Sequence, residues 1–112
     1  MSKSEPTTLV LWDNYFDEDA AVHFITNLRK EGRRVKLVAL RNPCAKGKHG
    51  ITVTADLTLE EALDQSGSAS QIFVPCAESR FTQLCVDPRI EKLVNLIGDK
   101  GGEILFAHSS KV

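Results

Sequence analysis

The sequence predicts a small three-layer α/β/α domain, in which helices cover both faces of a parallel sheet. The prediction depends on alternation: short apolar runs typical of buried strands are followed by stretches whose apolar residues recur at helical spacing. With 112 residues, of which 42% are hydrophobic and 26% charged, the chain has the size and composition of one soluble globular domain. We therefore expect residues 1–112 to form a single domain with right-handed crossovers between its strands.

Four apolar runs predict the core strands, at residues 9–12, 35–40, 71–74 and 104–107. The last run is fully apolar, as interior strands of parallel sheets are. Residues 41–50 are basic, contain Pro43 and two glycines, and are predicted as a loop. Residues 51–55 alternate apolar and polar side chains, which indicates a short accessory strand. We expect the core strands in the order 2-1-3-4 of a flavodoxin-like sheet.

Three helices are predicted, over residues 17–31, 59–65 and 88–97. The first has acidic residues in its first turn and basic residues in its last, and Gly32 follows as a stop signal. Thr58 and Glu61 form a capping-box pattern at the start of the second. The third begins with Asp87 as a cap and Pro88 in the first turn.

Charge and composition exclude several classes of partner. Lys and Arg number 14 against 15 Asp and Glu, so the net charge of −1 gives no electrostatic attraction to nucleic acid or to an anionic membrane. No apolar run approaches the ~18 residues of a membrane span, and residues 1–8 lack the apolar segment of a signal peptide. Three cysteines without paired spacing fit a reducing compartment. We expect a cytoplasmic protein without a cofactor.

Four segments share their pattern with a known family. The most specific is GITVTADLTLEEA at residues 50–62, which fits the pattern G-x-x-V-x-x-D-x-x-L-x-E-A. The other three are LRKEG with VKLV within residues 28–38, IFVP with a later Asp-Pro pair within residues 72–88, and GEILFA at residues 102–107. In this order they resemble the first half of the ThiJ/PfpI superfamily, which has the class I glutamine amidotransferase-like fold. The resemblance covers residues 9–109 and implies that fold for nearly the whole chain.

The catalytic residues of that superfamily do not carry over to this sequence. Its acid on the first helix falls on Ala20, and its nucleophilic cysteine falls on His108. Its glycine pair, which presents the N–H groups of an oxyanion hole, falls on Cys76 and Ala77. Its later strands, helices and downstream histidine have no counterpart before residue 112. The resemblance therefore implies the fold and not the hydrolase, deglycase or amidotransferase activities.

Polar residues at the predicted strand ends define a candidate ligand crevice, since ligands bind open parallel sheets beyond the carboxyl ends of their strands. If Cys76 lay near His108, the imidazole would lower the pKa of the thiol and Asp13 would orient the ring, giving a thiolate nucleophile. The alternative is that Cys76 is a small buried filler and His108 a surface residue. The crevice residues are Asp13, Asn14, Cys76, Glu78, Ser79, His108 and Ser109.

The basic loop offers weaker candidates. Cys44 and His49 would need two more ligands to bind a metal, and the positive charges of Lys46 and Lys48 oppose a cation, so we expect no metal site. A basic rim for an anion is an alternative, although no glycine-rich phosphate loop follows the first strand. The rim would consist of Arg33, Arg34, Arg41, Lys46 and Lys48.

The strand over residues 104–107 has no following element to pair with its outer edge, and an open apolar edge favours association. We expect Ile104, Leu105 and Phe106 to form an interface in a homodimer or with another protein.

The leading interpretation of the protein's function is a non-catalytic interaction or assembly module. The alternatives are a small thiol-dependent hydrolase or stress-response enzyme of the ThiJ/PfpI type that uses Cys76 and His108, and a sensor of a small ligand.

Overall fold

The computed structural model of the protein describes residues 7–108, including only the backbone of His108. These residues form seven strands and four helices. The strands are β1 (Thr7–Trp12), β2 (Arg34–Ala39), β3 (Cys44–Lys46), β4 (Thr52–Thr54), β5 (Leu57–Thr58), β6 (Ala69–Ala77) and β7 (Glu103–His108). The helices are α1 (Glu18–Lys30), α2 (Leu59–Asp64), α3 (Glu78–Leu84) and α4 (Pro88–Asp99), with a short 3-10 turn over Ser66–Ser68.

Five of the strands form one sheet in the order β5-β2-β1-β6-β7, and every pair in it is parallel. The run β2-β1-β6-β7 is the predicted order 2-1-3-4. The fifth strand, β5, adds two residues beside Val38 and Ala39 at the outer edge of β2. Two residues are too few to show strand periodicity, which is why the sequence did not predict β5.

A separate antiparallel hairpin joins β3 to β4. The predicted accessory strand at residues 51–55 is β4, but the prediction of a loop over residues 41–50 is wrong at β3. Only Ala45 among the three residues of β3 is buried, so the strand has almost no apolar pattern and is defined by its backbone pairing. The Trp12 indole Nε1–H donates to the Ala45 carbonyl at 3.1 Å, which fastens the hairpin to the end of β1.

Helices cover the sheet in the predicted three layers. The chain crosses from β1 to β2 in one direction and from β6 to β7 in the other, so right-handed crossovers place α1 and α4 on opposite faces. The helix α2 packs against α4. The seven-residue helix α3 was not predicted, because its N-cap is Ala77, whose side chain offers no capping oxygen.

The centre of the sheet holds the hydrophobic core. Residues 9–12 of β1 are at most 1% exposed, so both faces of this strand are covered. Leu93 and Ile97 pack into the same core from α4, and Phe16 packs into it from the loop before α1. Within residues 7–108, no helix is both long and apolar enough to cross a bilayer.

Candidate functional site

The carboxyl ends of β1 and β6 meet the tip of the β3–β4 hairpin in one crevice. Three backbone hydrogen bonds connect these segments: the Tyr15 N–H donates to the Lys46 carbonyl, the Asp17 N–H to the Pro75 carbonyl, and the Lys48 N–H to the Phe16 carbonyl, all at 2.8–2.9 Å. The turn that makes this possible places Tyr15 at φ 68°, a left-handed conformation that is uncommon for a side chain of this size. A small cavity of about 160 Å³ opens here, which we call the crevice cavity.

Asp13 lies at the end of β1 and is only 1% exposed. Its Oδ2 accepts hydrogen bonds from Arg41 Nε at 3.0 Å and from Arg41 Nη2 at 2.6 Å. Its Oδ1 is buried and has no hydrogen-bond partner within residues 7–108. The Asp13 carboxylate thus compensates the guanidinium of Arg41, a residue of the alternative basic rim, and its described partner is not a histidine.

Cys76 follows at the end of β6 and is 5% exposed. Burial raises the pKa of its thiol to about 11, and the charge of Asp13 adds to this while Arg80 opposes it. The thiol is therefore protonated at neutral pH, and it donates to the Ala77 carbonyl with a separation of 3.4 Å. This environment favours the interpretation of Cys76 as a buried filler over that of a thiolate nucleophile.

The remaining predicted crevice residues lie around this point. Strand pairing places His108 beside Ala77 at the end of β7, while its side chain and Ser109 lie outside the described residues. The approach of that imidazole to Cys76 therefore stays a prediction. Glu78 and Ser79 are exposed at the start of α3. The Oδ1 atom of Asn14 accepts from the Lys46 N–H at 3.2 Å and helps to hold the hairpin.

Glu18 holds the hairpin loop against α1, a structural role that was not predicted from the sequence. Its carboxylate is buried at the start of α1 and accepts the N–H groups of His49, at 3.0 and 3.1 Å, and of Ile51, at 2.9 Å. Burial alone would raise its pKa, but the hydrogen bonds from the Ile51 and His49 backbone lower it below the ordinary value of 4.5. Glu18 thus holds the hairpin loop, two residues before Ala20, where the ThiJ/PfpI acid would lie.

One cluster of potential metal-ligand atoms lies where α1 begins, beside the hairpin loop. It consists of one atom each from Asp17, Glu18 and His49, and these atoms lie within 4.8 Å of one another. The Asp17 carboxylate, however, also lies 3.4 Å from Lys48 Nζ, and both oxygens of Glu18 accept backbone N–H groups. We assign these three residues a role in fixing the hairpin. Cys44, the other predicted candidate on this loop, is exposed, and its Sγ lies 3.4 Å from Thr54 Oγ1.

Arg80, in α3, lines the crevice cavity and was not predicted from the sequence. Its Nη2 donates to the Asn14 carbonyl at 3.0 Å, and its guanidinium carbon lies 5.7 Å from the centre of the Phe16 ring. Its Nε is buried and has no hydrogen-bond partner within residues 7–108. A single arginine in a short helix without a cap gives no sequence signal that would have found it.

No family model and no curated protein matches the sequence, whereas solved structures do. A cysteine-to-alanine mutant of a DJ-1 superfamily protein from Salmonella typhimurium is 22% identical over 90% of this chain, with a TM-score of 0.78. DJ-1beta of Drosophila melanogaster is 15% identical over 92% of it, with a TM-score of 0.80. A two-domain protein from Anabaena variabilis with DJ-1/ThiJ/PfpI-like and ferritin-like domains is 19% identical over 91% of it, with a TM-score of 0.75.

These similarities confirm the fold that the sequence predicted: the chain has the DJ-1/ThiJ/PfpI fold. At such identities the likeness defines the architecture alone. The chain spans 54% of the Salmonella structure, 55% of the Drosophila structure and 29% of the two-domain Anabaena structure. The activities of whole proteins of this fold are therefore not transferred to it.

Proposed function

We propose that the protein is a non-catalytic DJ-1/ThiJ/PfpI-like domain that acts as an interaction or assembly module in the cytoplasm, most simply as a homodimer. The observation that carries the proposal is the outer edge of β7. Within residues 7–108 this strand pairs with β6 alone, so one row of its backbone N–H and C=O groups is unpaired by any described strand. Ile104 to Ala107 are only half-buried, in contrast to the fully covered β1.

An apolar groove beside β7 supports the same interpretation. It runs between α1 and the sheet, has a volume of about 340 Å³, and is lined among others by Leu28, Phe73 and Phe106. The rings of Phe24 and Phe73 stack at 4.0 Å on its floor. Because fully burying one such side chain contributes roughly 1.5–3 kcal/mol, a partner that covered the edge and part of this groove would gain enough to form a stable complex.

The crevice chemistry supports a non-catalytic role. Ala20 offers no carboxylate at the position of the ThiJ/PfpI acid, and Cys76 is a buried, protonated thiol. Ala77 ends β6 where the superfamily has a glycine of its oxyanion hole. Without a supported nucleophile or a matching donor pair among the described residues, this part of the crevice does not stabilise developing transition-state charge. We expect the purified chain to show no glyoxalase, deglycase, peptidase or glutaminase turnover above the buffer rate.

Light scattering of the full chain at micromolar concentration tests the association. We expect the mass of a dimer, and a monomer mass for Phe106→Lys, because a charge would be placed at the β7 edge. Ile51→Lys is the matched control: Ile51 is 58% exposed on the hairpin, away from β7, so the dimer mass should persist.

The Phe106 ring lies 5.7 Å from that of Phe81, so circular dichroism must show that the variant is folded. If it is not, Leu105→Lys replaces it, because Leu105 is half-buried on the same strand. A monomeric, soluble wild-type chain whose mass Phe106→Lys leaves unchanged would contradict the proposal. Loss of the dimer in Ile51→Lys alone would place the interface elsewhere and contradict the role of β7.

A further inference from the structure

We propose that Asp56 and Arg29 close the outer edge of β2 to other copies of the chain, so that assembly through the sheet ends at two copies. The number of copies rests on the proposed association through β7, whereas the closure of the β2 edge does not. The five-stranded sheet ends with β7 on one side and with β5 beside β2 on the other. The strand β5 pairs only with Val38 and Ala39, so no described strand lies beside residues 34–37 on this side of β2.

Asp56 occupies the place of a neighbouring strand beside Leu37. The Leu37 N–H donates to the Asp56 carboxylate Oδ2 at 2.9 Å, and the Asp56 backbone N–H donates to the Leu37 carbonyl at 2.8 Å. In a longer sheet, the backbone of an added strand would form both of these hydrogen bonds. Because Asp56 already forms them, a second copy of the chain could pair with Leu37 only by displacing Asp56.

Arg29 closes the same edge nearer the start of β2. Its Nη2 donates to the Val35 carbonyl at 2.9 Å and lies 3.9 Å from Asp56 Oδ2. Backbone groups of alternate residues in a strand point to the same edge, so those of Val35 and Leu37 face outward together. Arg29 and Asp56 thus occupy three outward groups of β2, and covering an edge in this way protects soluble proteins from edge-to-edge association.

The charges at the two ends of the sheet differ in the same sense. Arg34 and Lys36 are exposed on β2, and pairing this edge with that of a second copy would bring their positive charges together. In β7, residues 104–107 are apolar and half-buried, and Glu103 is the only charged residue from 103 to 107. The β2 end of the sheet therefore opposes association through both its hydrogen bonds and its charge, whereas the β7 end favours association.

The number of open edges determines how large an assembly grows. A sheet with a single open edge forms a closed assembly, because two copies related by a two-fold axis cover that edge. If the β2 edge were open as well, alternating contacts through β7 and β2 would extend the assembly without limit. Closure of the β2 edge thus limits the assembly to two copies.

Light scattering of the full chain carrying both Arg29→Ala and Asp56→Ala tests the proposal at micromolar concentration. The buffer contains about 1 M sodium chloride, which shortens the Debye length to about 3 Å and screens the positive charges of β2. We expect a mass above that of a dimer, rising with concentration. The matched control carries Arg29→Lys and Asp56→Asn, which retain a donor and an acceptor at these positions, and it should keep the wild-type mass.

Two further measurements distinguish edge pairing from non-specific aggregation. Adding Phe106→Lys to the alanine double variant should reduce its mass to that of a dimer, because only the β2 edge then remains open. At a dilution that separates the copies, the Leu37 N–H should exchange about tenfold faster in the alanine double variant than in the wild type, because it has lost its acceptor. The control substitutions should leave this exchange rate unchanged.

A folded alanine double variant that keeps the wild-type mass would overturn the proposal. An unchanged exchange rate of the Leu37 N–H would also overturn it, as would aggregates that Phe106→Lys leaves equally large. If circular dichroism shows that the double variant does not fold, Arg29→Ala replaces it and Arg29→Lys is its control, with the same expected rise in mass; alanine at position 29 preserves the helix.

A monomeric wild type would contradict the proposed association through β7 and leave the closure of the β2 edge to be decided by the alanine double variant. That variant should then form dimers through β2. If it stayed monomeric in high salt, the closure of the β2 edge would be overturned as well.

Discussion

The carboxylate of Glu18 connects α1 to the hairpin loop, and its substitution gives a test at the scale of one residue. In Glu18→Gln an amide NH₂ replaces one acceptor oxygen and faces the N–H groups of His49 and Ile51. We expect a lower melting temperature than in the wild type, measured by circular dichroism. Glu31→Gln, at an exposed position after α1, is the control and should melt with the wild type.

The same pair of variants has a defined pH dependence. The pKa of Glu18 is lower in the folded chain than its ordinary value of 4.5, so the folded state binds this proton less readily than the unfolded state. The stability gained from Glu18 is therefore present above about pH 4.5 and is lost as the pH falls through the lower, folded pKa. The wild type and Glu31→Gln should lose stability in this acid range more steeply than Glu18→Gln. Parallel curves for all three proteins would contradict the assigned role.

The reactivity of the Cys76 thiol distinguishes the non-catalytic interpretation from the alternative of a thiol-dependent enzyme. A buried thiol with a pKa of about 11 should react with iodoacetamide at pH 7 much more slowly than the exposed Cys44. Mass spectrometry of peptides after timed alkylation measures both rates in one sample. A titration of Cys76 well below the ordinary thiol value of ~8.5, together with a measurable activity that Cys76→Ser abolishes, would favour the enzyme.

Two glycines allow a matched test at the scale of elements. A Cβ at Gly47, on the hairpin, would lie less than 3.0 Å from three atoms of the Glu18 carboxyl group, whereas one at Gly98, in α4, would meet nothing within 4 Å. We expect Gly47→Ala to destabilise the fold because the buried carboxylate has to move. Gly98→Ala should stabilise it by roughly 0.5–1 kcal/mol, since alanine favours a helix interior. Denaturant unfolding measures both changes; equal effects would contradict the described packing of the hairpin.

The elements that the sequence predicted are those with a repeated apolar pattern. The strands β1, β2, β6 and β7 and the long helices α1 and α4 each carry several apolar residues that are buried in the core or packed against it, and the pattern of these residues along the sequence identifies the elements. The elements β3, β5 and α3 have three, two and seven residues, respectively, and are fixed by backbone pairing or tertiary contacts. Such contacts join residues distant in the chain, so local patterns do not contain them.

The candidate site was also predicted from the sequence only in part. The rule that ligands bind at strand ends led to the prediction of Asp13, Asn14 and Cys76 as crevice residues, and these residues lie at the carboxyl ends of β1 and β6. That a ligand binds there stays a prediction. The partners of those residues were not predicted: Arg41 reaches Asp13 across 28 positions, and Arg80 reaches Asn14 across 66. Nor does the sequence disclose that burial raises the pKa of Cys76. The chemistry of the crevice therefore depends on tertiary packing, which residue spacing alone does not report.

At the scale of the whole molecule, the parallel sheet is well covered at its centre, and among residues 7–108 no strand pairs with the outer edge of β7. The strand β1 is enclosed on both faces and paired on both edges, whereas β7 has one described neighbour and half-buried side chains. A sheet of this kind gains stability when a further strand or a partner surface covers its open edge. This asymmetry is the physical basis of the proposed assembly role.

Amide hydrogen exchange of β7 as a function of protein concentration tests this role most directly. Alternate N–H groups of a parallel strand face opposite neighbours, so about half of those in β7 are directed away from β6. If a second copy covers this edge, the outward N–H groups will be protected at high micromolar concentration and will lose protection on dilution, while those bonded to β6 stay protected. If the outward N–H groups exchange as fast as those of an unfolded chain at every protein concentration, association through β7 is contradicted.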